Sequence, residues 1–296
     1  MKRGDLGRRI LLFGGTTEGR RMARILSEHG MCVTVCVATR IGADFLKEIP
    51  GLRILTGRKD AVAMAELMKE GYDCCIDATH PYAVEAGRQI RSACAMCRLA
   101  YYRLLRRQLT EQELRRLAAD SIRQFLEEAG RPEDSDLMTC AEKKVEECLQ
   151  VRVCKNAAEA CALLEDEGEQ SASEDGILLT LGAKEAECFK PLLRKGQKGI
   201  YIRILPSEES IRMCRDAGFS REQILTGWGP FSVADNVRAL RKYRIRYLVT
   251  KDGGREGGYP QKLAAAALCG AQVIVLERPA EDGREEDDLL RMLGIE

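Results

Sequence analysis

The run from Cys32 to Ala38, CVTVCVA, is β-branched and apolar at nearly every position, so neither face of the strand it forms can meet water. A strand that is dry on both sides belongs in a parallel sheet with helices on each face. The segments around it keep to that plan. Ile10 to Phe13 is a short apolar strand closed by Gly14-Gly15, and a helix follows from Glu18 to His29 with Met22, Ile25 and Leu26 on one face and Gly30 as its stop. Arg53 to Leu55 reads as a third strand, Ala61 to Lys69 as a helix, Cys74 to Ala78 as a fourth strand, Val84 to Cys97 as a helix and Ala100 to Leu104 as a fifth strand. Strand–helix alternation at this spacing implies βαβ crossovers and a doubly wound, Rossmann-like first domain over 1–105.

The alternation stops at Arg106. Residues 106–150 are rich in Glu, Arg and Ala, with a GRPEDSD break at 130–136, and read as a charged helical linker or insertion. Asp166 to Gly176 is polar and reads as a loose loop. Alternation then resumes. Strands are expected at Ile177–Leu181, Gly199–Leu205, Ile224–Leu225, Tyr247–Thr250 and Gln272–Leu276, and helices at Lys184–Leu193, Glu208–Ala217, Val233–Lys242 and Gln261–Cys269. The expected fold is therefore α/β: two Rossmann-like parallel-sheet domains, 1–105 and 151–280, with a ligand cleft between them and an acidic tail at 281–296.

Charge sharpens this map and narrows the function. The 47 basic and 46 acidic residues give a net charge of +1, which argues against a generally basic nucleic-acid binder. Split along the chain, residues 1–105 carry 17 basic and 11 acidic residues, whereas the 106–176 stretch carries 10 and 18. Residues 177–280 carry 18 and 10, and the tail carries 2 and 7. Two basic blocks facing a cleft would suit an acidic ligand. No apolar run reaches the ~18 residues of a membrane span, and Met1 to Asp5 leads into the first strand without a secretory signal. The 13 cysteines mostly sit in apolar runs, and the one CxxC (Cys94, Cys97) has no second pair and only His29 and His80 for company. No metal is expected, and a reducing cytoplasm fits this cysteine usage.

Chemistry in such a fold gathers at the carboxyl ends of the strands. The first strand ends in Gly14-Gly15-Thr16-Thr17-Glu18-Gly19, whose glycines admit a pyrophosphate to the N–H groups of the next helix. Thr16 stands where a second glycine would complete GxGxxG, so a plain strand-to-helix turn is the competing reading. The second strand ends in Thr39-Arg40, where an NAD site would offer a carboxylate, and Arg40 suits the 2′-phosphate of NADPH over NADH. The competing reading of Arg40 is a solvated loop cation. The fourth strand ends in Asp77-Ala78-Thr79-His80-Pro81-Tyr82-Ala83, where Asp77 and Thr79 either serve the site or cap the next helix while His80 bonds backbone. In the second half, Gly229-Pro230-Phe231-Ser232 with Asn236 forms a rigid turn. Thr250 to Gly258, TKDGGREGG, forms a cationic, N–H-rich lip ahead of Lys262, or else a mobile surface loop.

Taken together and in this order, ILLFGGTTEG at 10–19, DATHPYA at 77–83, GPFS at 229–232 with Asn236, TKDGG at 250–254 and Arg278-Pro279 resemble the precorrin-6A reductase family, over nearly the whole chain. Residues 106–149 look longer than the family's interdomain stretch, and Gly253 stands where serine is more usual. The resemblance implies an oxidoreductase of cobalamin biosynthesis that uses NADPH to reduce one double bond of precorrin-6A, or of its cobalt form, to precorrin-6B. The substrate would be a tetrapyrrole bearing several carboxylates. Gly14, Gly15, Thr16, Thr17, Gly19, Arg40 and Thr79 would then hold the cofactor, and Asp77 and His80 are the catalytic candidates. Lys184, Ser232, Lys251, Gly253, Gly254, Lys262 and Arg278 would meet substrate. A side-chain proton donor is not required, because the ring nitrogens can take a proton from solvent. No nucleic-acid or membrane partner is expected, and a monomer is the working oligomeric state. Two alternatives stay open: another NADPH-dependent reductase or epimerase of a small metabolite, and a non-catalytic NADPH sensor.

Overall fold

A computed structural model of the chain describes residues 7–130, 135–170, 176–195 and 199–295. It divides into two compact units, residues 1–107 with 279–296, and residues 108–278. The first unit runs β1 (Arg9–Phe13), α1 (Thr17–Glu28), β2 (Cys32–Val37), α2 (Arg40–Asp44), β3 (Arg53–Thr56), α3 (Ala61–Met68), β4 (Cys74–Asp77), α4 (Val84–Cys97) and β5 (Ala100–Arg103). Its five strands are all parallel, in the order β3-β2-β1-β4-β5. Both faces are dry, as the doubly apolar strands require. Ile10, Leu12, Val33, Val35 and Ile76 pack against α1, and Leu11, Phe13, Cys36 and Cys75 pack against α3 and α4. Strand order reverses between β1 and β4, which is where the glycine turn and the Asp77 segment emerge.

The second unit runs α5 (Glu111–Glu128), α6 (Ser135–Cys148), β6 (Val151–Cys154), α7 (Ala157–Gln170), β7 (Gly176–Thr180), a 3₁₀ helix at Ala183–Phe189, α8 (Lys190–Arg194), β8 (Ile200–Ile204), α9 (Glu208–Asp216), β9 (Ile224–Thr226), α10 (Val233–Lys242), β10 (Ile245–Lys251), α11 (Tyr259–Cys269) and β11 (Gln272–Leu276). Six parallel strands lie in the order β6-β11-β10-β7-β8-β9, so this sheet reverses between β7 and β10.

Three expectations need correction. Residues 111–148 are not a solvated linker. Ala118, Ala119 and Ile122 of α5 and Ala141 and Val145 of α6 are buried against α10 and α11, in the same core as Leu178, Leu248 and Val273 of the sheet. The 281–296 segment is not a solvated tail. Arg284 bridges to Leu104 beside β5, and helix α12 (Glu286–Leu293) buries Leu289 and Leu293, followed by Ile295, in the core under α1. Its acids face outward, where Glu286 meets Arg21 and Asp288 meets Arg291. The third correction is local: the loop expected from Asp166 is helical through Gln170, and residues 171–175 of it lie outside the described residues, as do 131–134 of the expected break and Met1 to Asp5. β6 and α7 were not expected at all.

Candidate active site

The site in the first unit begins with a cap. Thr16 ends the turn after β1, and its Oγ1 accepts the Gly19 amide (3.0 Å) while donating to the Ala78 carbonyl (2.9 Å). One hydroxyl therefore starts α1 and ties the glycine turn to the segment leaving β4. Gly19 fits that junction closely: a Cβ there would stand 3.2 Å from both the Ala78 methyl and Gly14 Cα, so either neighbour would have to give way. Gly15, at φ +117°, holds a conformation that suits only glycine. Among the described residues the amides of Gly15, Thr16, Thr17 and Glu18 find no partner within the chain, so four N–H groups sit at the N-terminus of a three-turn helix. Glu18, which would repel an anion there, is held by Arg106 at 2.6 Å. Arg40 is the first residue of α2 at the end of β2, exposed, with Thr39 capping the helix through the Gly42 amide.

Next to this cradle lies a network that sequence reasoning reached only in part. Asp77 closes β4 and is fully buried. Its Oδ1 accepts from Arg103 Nη1 (2.7 Å), Thr79 Oγ1 (2.7 Å) and the Thr79 amide (3.0 Å), and its Oδ2 accepts from the Tyr101 hydroxyl (2.9 Å). Arg103, at the end of β5, also donates to the Thr79 carbonyl (2.8 Å) and to Glu281 (2.8 Å from Nε). Asp77, expected to act on a ligand, thus has both oxygens bonded inside the protein. Burial and the neighbouring Asp77 charge push the Tyr101 hydroxyl upward, so it stays a donor. Gly87 of α4 lets the helix approach, because a Cβ there would stand 3.2 Å from Asp77 Oδ2.

Around this network opens a pocket of about 420 Å³ lined by Thr79, His80, Pro81, Gly87, Arg88, Arg91, Tyr101, Arg103 and residues 279–282. Its size is that of a small-ligand site. His80 Nδ1 accepts the Tyr82 amide at 3.3 Å, which leaves the proton of the neutral ring on Nε2. The residues missed from sequence are Tyr101, Arg103, Arg106 and Glu281. Arg103 and Glu281 meet across 178 positions, so only the returning C-terminal segment brings them together.

In the second unit the expected substrate residues are dispersed. Ser232 is the N-cap of α10, in a reciprocal capping box with Asp235. Lys251 pairs with Glu185 at 2.9 Å. The lip after β10 is folded on itself rather than open to a ligand. The amides of Gly253, Gly254, Gly257, Gly258 and Tyr259 bond within it, and Gly253 and Gly257 are too close for side chains. Lys184 is exposed in the 3₁₀ helix, and Arg278 is the last residue of the unit, half-buried beyond β11. Lys262, on α11, donates to Thr250 Oγ1 at 3.0 Å.

A model of the precorrin-6x reductase CbiJ/CobK family matches residues 9–294. The chain belongs to this family. It is 28% identical over 274 residues to the cobalt-precorrin-6A reductase of Methanothermobacter thermautotrophicus, covering 91% of this chain and 76% of that one. It is 27% identical over 280 residues to the cobalt-precorrin-6A reductase of Salmonella typhimurium, covering 94% and 89%. Among solved structures, a CobK precorrin-6A reductase superposes with a TM-score of 0.63 at 20% identity over 97% of this chain and 98% of that one, a likeness of fold. The family places the chain among oxidoreductases that act on a carbon–carbon double bond. No helix among the described residues is long and apolar enough to cross a membrane.

Proposed function

We propose that this protein reduces one double bond of precorrin-6A, metal-free or cobalt-loaded, with NADPH. What carries the reading is the anion cradle of the first unit: four unpartnered amides at the start of α1, glycines where a side chain would block approach, and the opposing Glu18 held by Arg106. That donor set fits a pyrophosphate. The residues that would hold NADPH are then Gly14 to Gly19 for the pyrophosphate, Arg40 for the 2′-phosphate and Thr79 with His80 for the nicotinamide end. When bound, NADPH supplies the hydride. The chain itself orients and excludes water. Arg103 clamps the β4 exit by bonding Asp77 and the Thr79 carbonyl, which holds His80 at the pocket mouth. Asp77 is in this reading a positioning residue, whereas His80, with Nε2–H as donor, faces the ligand. A conjugated, electron-poor macrocycle accepts hydride at carbon without a metal electrophile, so proximity supplies most of the rate. All thirteen cysteines are free thiols, as suits work in a reducing cytoplasm.

The test is anaerobic NADPH oxidation with cobalt-loaded and metal-free precorrin-6A side by side. NADPH binding without turnover on either substrate would make the protein a sensor and end the reading. Arg40→Ala is expected to weaken NADPH about 10- to 100-fold and leave NADH nearly unchanged, from the loss of one charge-assisted contact. Equal losses, read from KM for the two cofactors, would remove the 2′-phosphate assignment.

A further inference from the structure

The second sheet reverses direction between β7 and β10, and their carboxyl ends carry Thr180 and Thr250, paired in register. One strand over, Arg203 follows Ile202, whose partner is Leu179, so Arg203 stands in the same row. Such a reversal is where open α/β sheets take ligands. Arg203 is 9% exposed and forms no ion pair among the described residues. Its Nη2 donates to Asn236 Oδ1 at 2.8 Å, and its guanidinium lies 3.9 Å from the centroid of the Phe231 ring. Asn236 is fixed in turn by the carbonyls of Phe231 and Ser232. From the other side the Lys262 ammonium reaches Thr250 Oγ1, its one side-chain hydrogen bond among the described residues. A buried guanidinium and a half-buried ammonium thus lie near each other with only neutral hydrogen-bond partners, which is unfavourable unless a counter-ion arrives.

We propose that Arg203 and Lys262 form an oxyanion subsite that receives a side-chain carboxylate of the tetrapyrrole substrate. This rests on the reductase reading above. Arg203 supplies a planar fork, Lys262 a point charge, and the Thr250 hydroxyl holds the ammonium until the carboxylate comes. Burial first, and the Arg203 charge second, push Lys262 down to about 7, and burial pushes Arg203 down to about 10. Of the charged groups on the elements packed around α11, Asp235 opposes part of the burial effect on Arg203 from a distance, without forming an ion pair with it. Asp235 is bonded to Ser232 and Arg238, Lys251 to Glu185, and Glu128 of α5 accepts from Gln124, while Arg241 and Lys144 lie by Cys269 at the far end of the helix. An incoming carboxylate raises Lys262 again, so binding above neutral pH draws a proton from solvent.

The probe is uroporphyrin I, a stable octacarboxylate tetrapyrrole, with NADP⁺ as the separate phosphate-bearing arm. The full chain is titrated with each by quenching of Trp228, its one tryptophan, and by calorimetry at pH 8 in two buffers of different ionisation enthalpy. Lys262→Met and Arg203→Met are each expected to weaken uroporphyrin about 10- to 100-fold, with NADP⁺ unchanged. The wild type takes up a proton on binding uroporphyrin and Lys262→Met does not. Arg203→Lys keeps the charge without the fork, gives a smaller loss, and serves if Arg203→Met does not fold. Folded variants that bind uroporphyrin as tightly as wild type overturn the subsite and leave the reductase reading standing. A loss of NADP⁺ affinity instead assigns the cations to a cofactor phosphate and also overturns it. A wild type that binds no uroporphyrin overturns it too, and NADPH oxidation with cobalt-precorrin-6A then decides separately whether the reductase reading falls.

Discussion

Replacing Lys262 by methionine should stabilise the unliganded protein at acid and neutral pH, and the gain should vanish as the solution becomes alkaline. The side chain moves from an ordinary lysine value of 10.5 down to about 7 in the fold. Below pH 7 the ammonium is charged in both states, so folding bears the whole penalty, about 5 kcal/mol at 1.36 kcal/mol per unit. Between 7 and 10.5 the unfolded chain binds a proton that the native protein does not, so wild-type stability rises with pH. At pH 8 about 3.4 kcal/mol of the penalty remains, and at pH 10 less than about 1 kcal/mol. Methionine keeps the apolar stem but removes the donor to Thr250 Oγ1, which keeps its own bond to the Lys251 carbonyl, a loss of about 1 kcal/mol at every pH. The net gain from the substitution is therefore about 4 kcal/mol at pH 6, about 2 at pH 8, and nil or slightly negative at pH 10. Urea unfolding at these three pH values measures it, followed by the fluorescence of Trp228, which sits in the second unit. A difference between variant and wild type that does not change with pH would show that Lys262 is not a strained cation.

Two further substitutions probe the first unit. Arg103→Met leaves the fully buried Asp77 carboxylate without its cation, a loss of about 3–5 kcal/mol seen as a lower melting temperature. Adding Asp77→Asn should recover part of it, and no recovery would mean that Arg103 acts through Glu281 alone. Leu289→Ala empties a fully buried position under α1 and should lose about 2–5 kcal/mol, although composition made that segment look like a solvated tail. A loss near zero in chemical unfolding would return α12 to the surface.

Most of the sheet was legible because its strands are apolar on both faces, and Cys32–Val37 or Gln272–Leu276 could be nothing but interior. What escaped were elements whose charge hides a thin apolar stripe. In α12, three of the first four residues are acidic, yet Leu289 and Leu293 at i, i+4 are enough to seat it. In α5 the stripe is Ala118, Ala119 and Ile122, small residues that a reading based on large hydrophobes passes over. β6 escaped because it is an edge strand with three exposed positions in four. In the site, the glycine turn and the segment from Asp77 to His80 were legible because polar residues at strand ends need partners. Their partners were not, since Arg103 and Glu281 become neighbours only when the chain returns. Arg203 did leave a signal. It is a lone charge inside IYIRI, a strand otherwise dry, and such a residue is either paired with an acid or kept for a ligand.

The same structure changes what the charge map means. By linear blocks the two domains looked basic, with the acids parked in a linker and a tail. By the units that form, residues 1–107 with 279–296 hold 21 basic and 18 acidic residues, and residues 108–278 hold 26 and 28. Neither unit is strongly basic, so a polycarboxylate cannot be recognised by net charge. Recognition has to be local. The acids of the returning segment are consumed nearby, Glu281 by Arg103 and Glu286 by Arg21, while the side chains of buried Arg203 and half-buried Lys262 hydrogen-bond only neutral groups. Screening by salt removes the attraction of a diffuse basic surface within about 10 Å at 0.1 M but reaches a buried pair far less. Affinity for a carboxylate that persists at high ionic strength therefore belongs to those two side chains rather than to the surface.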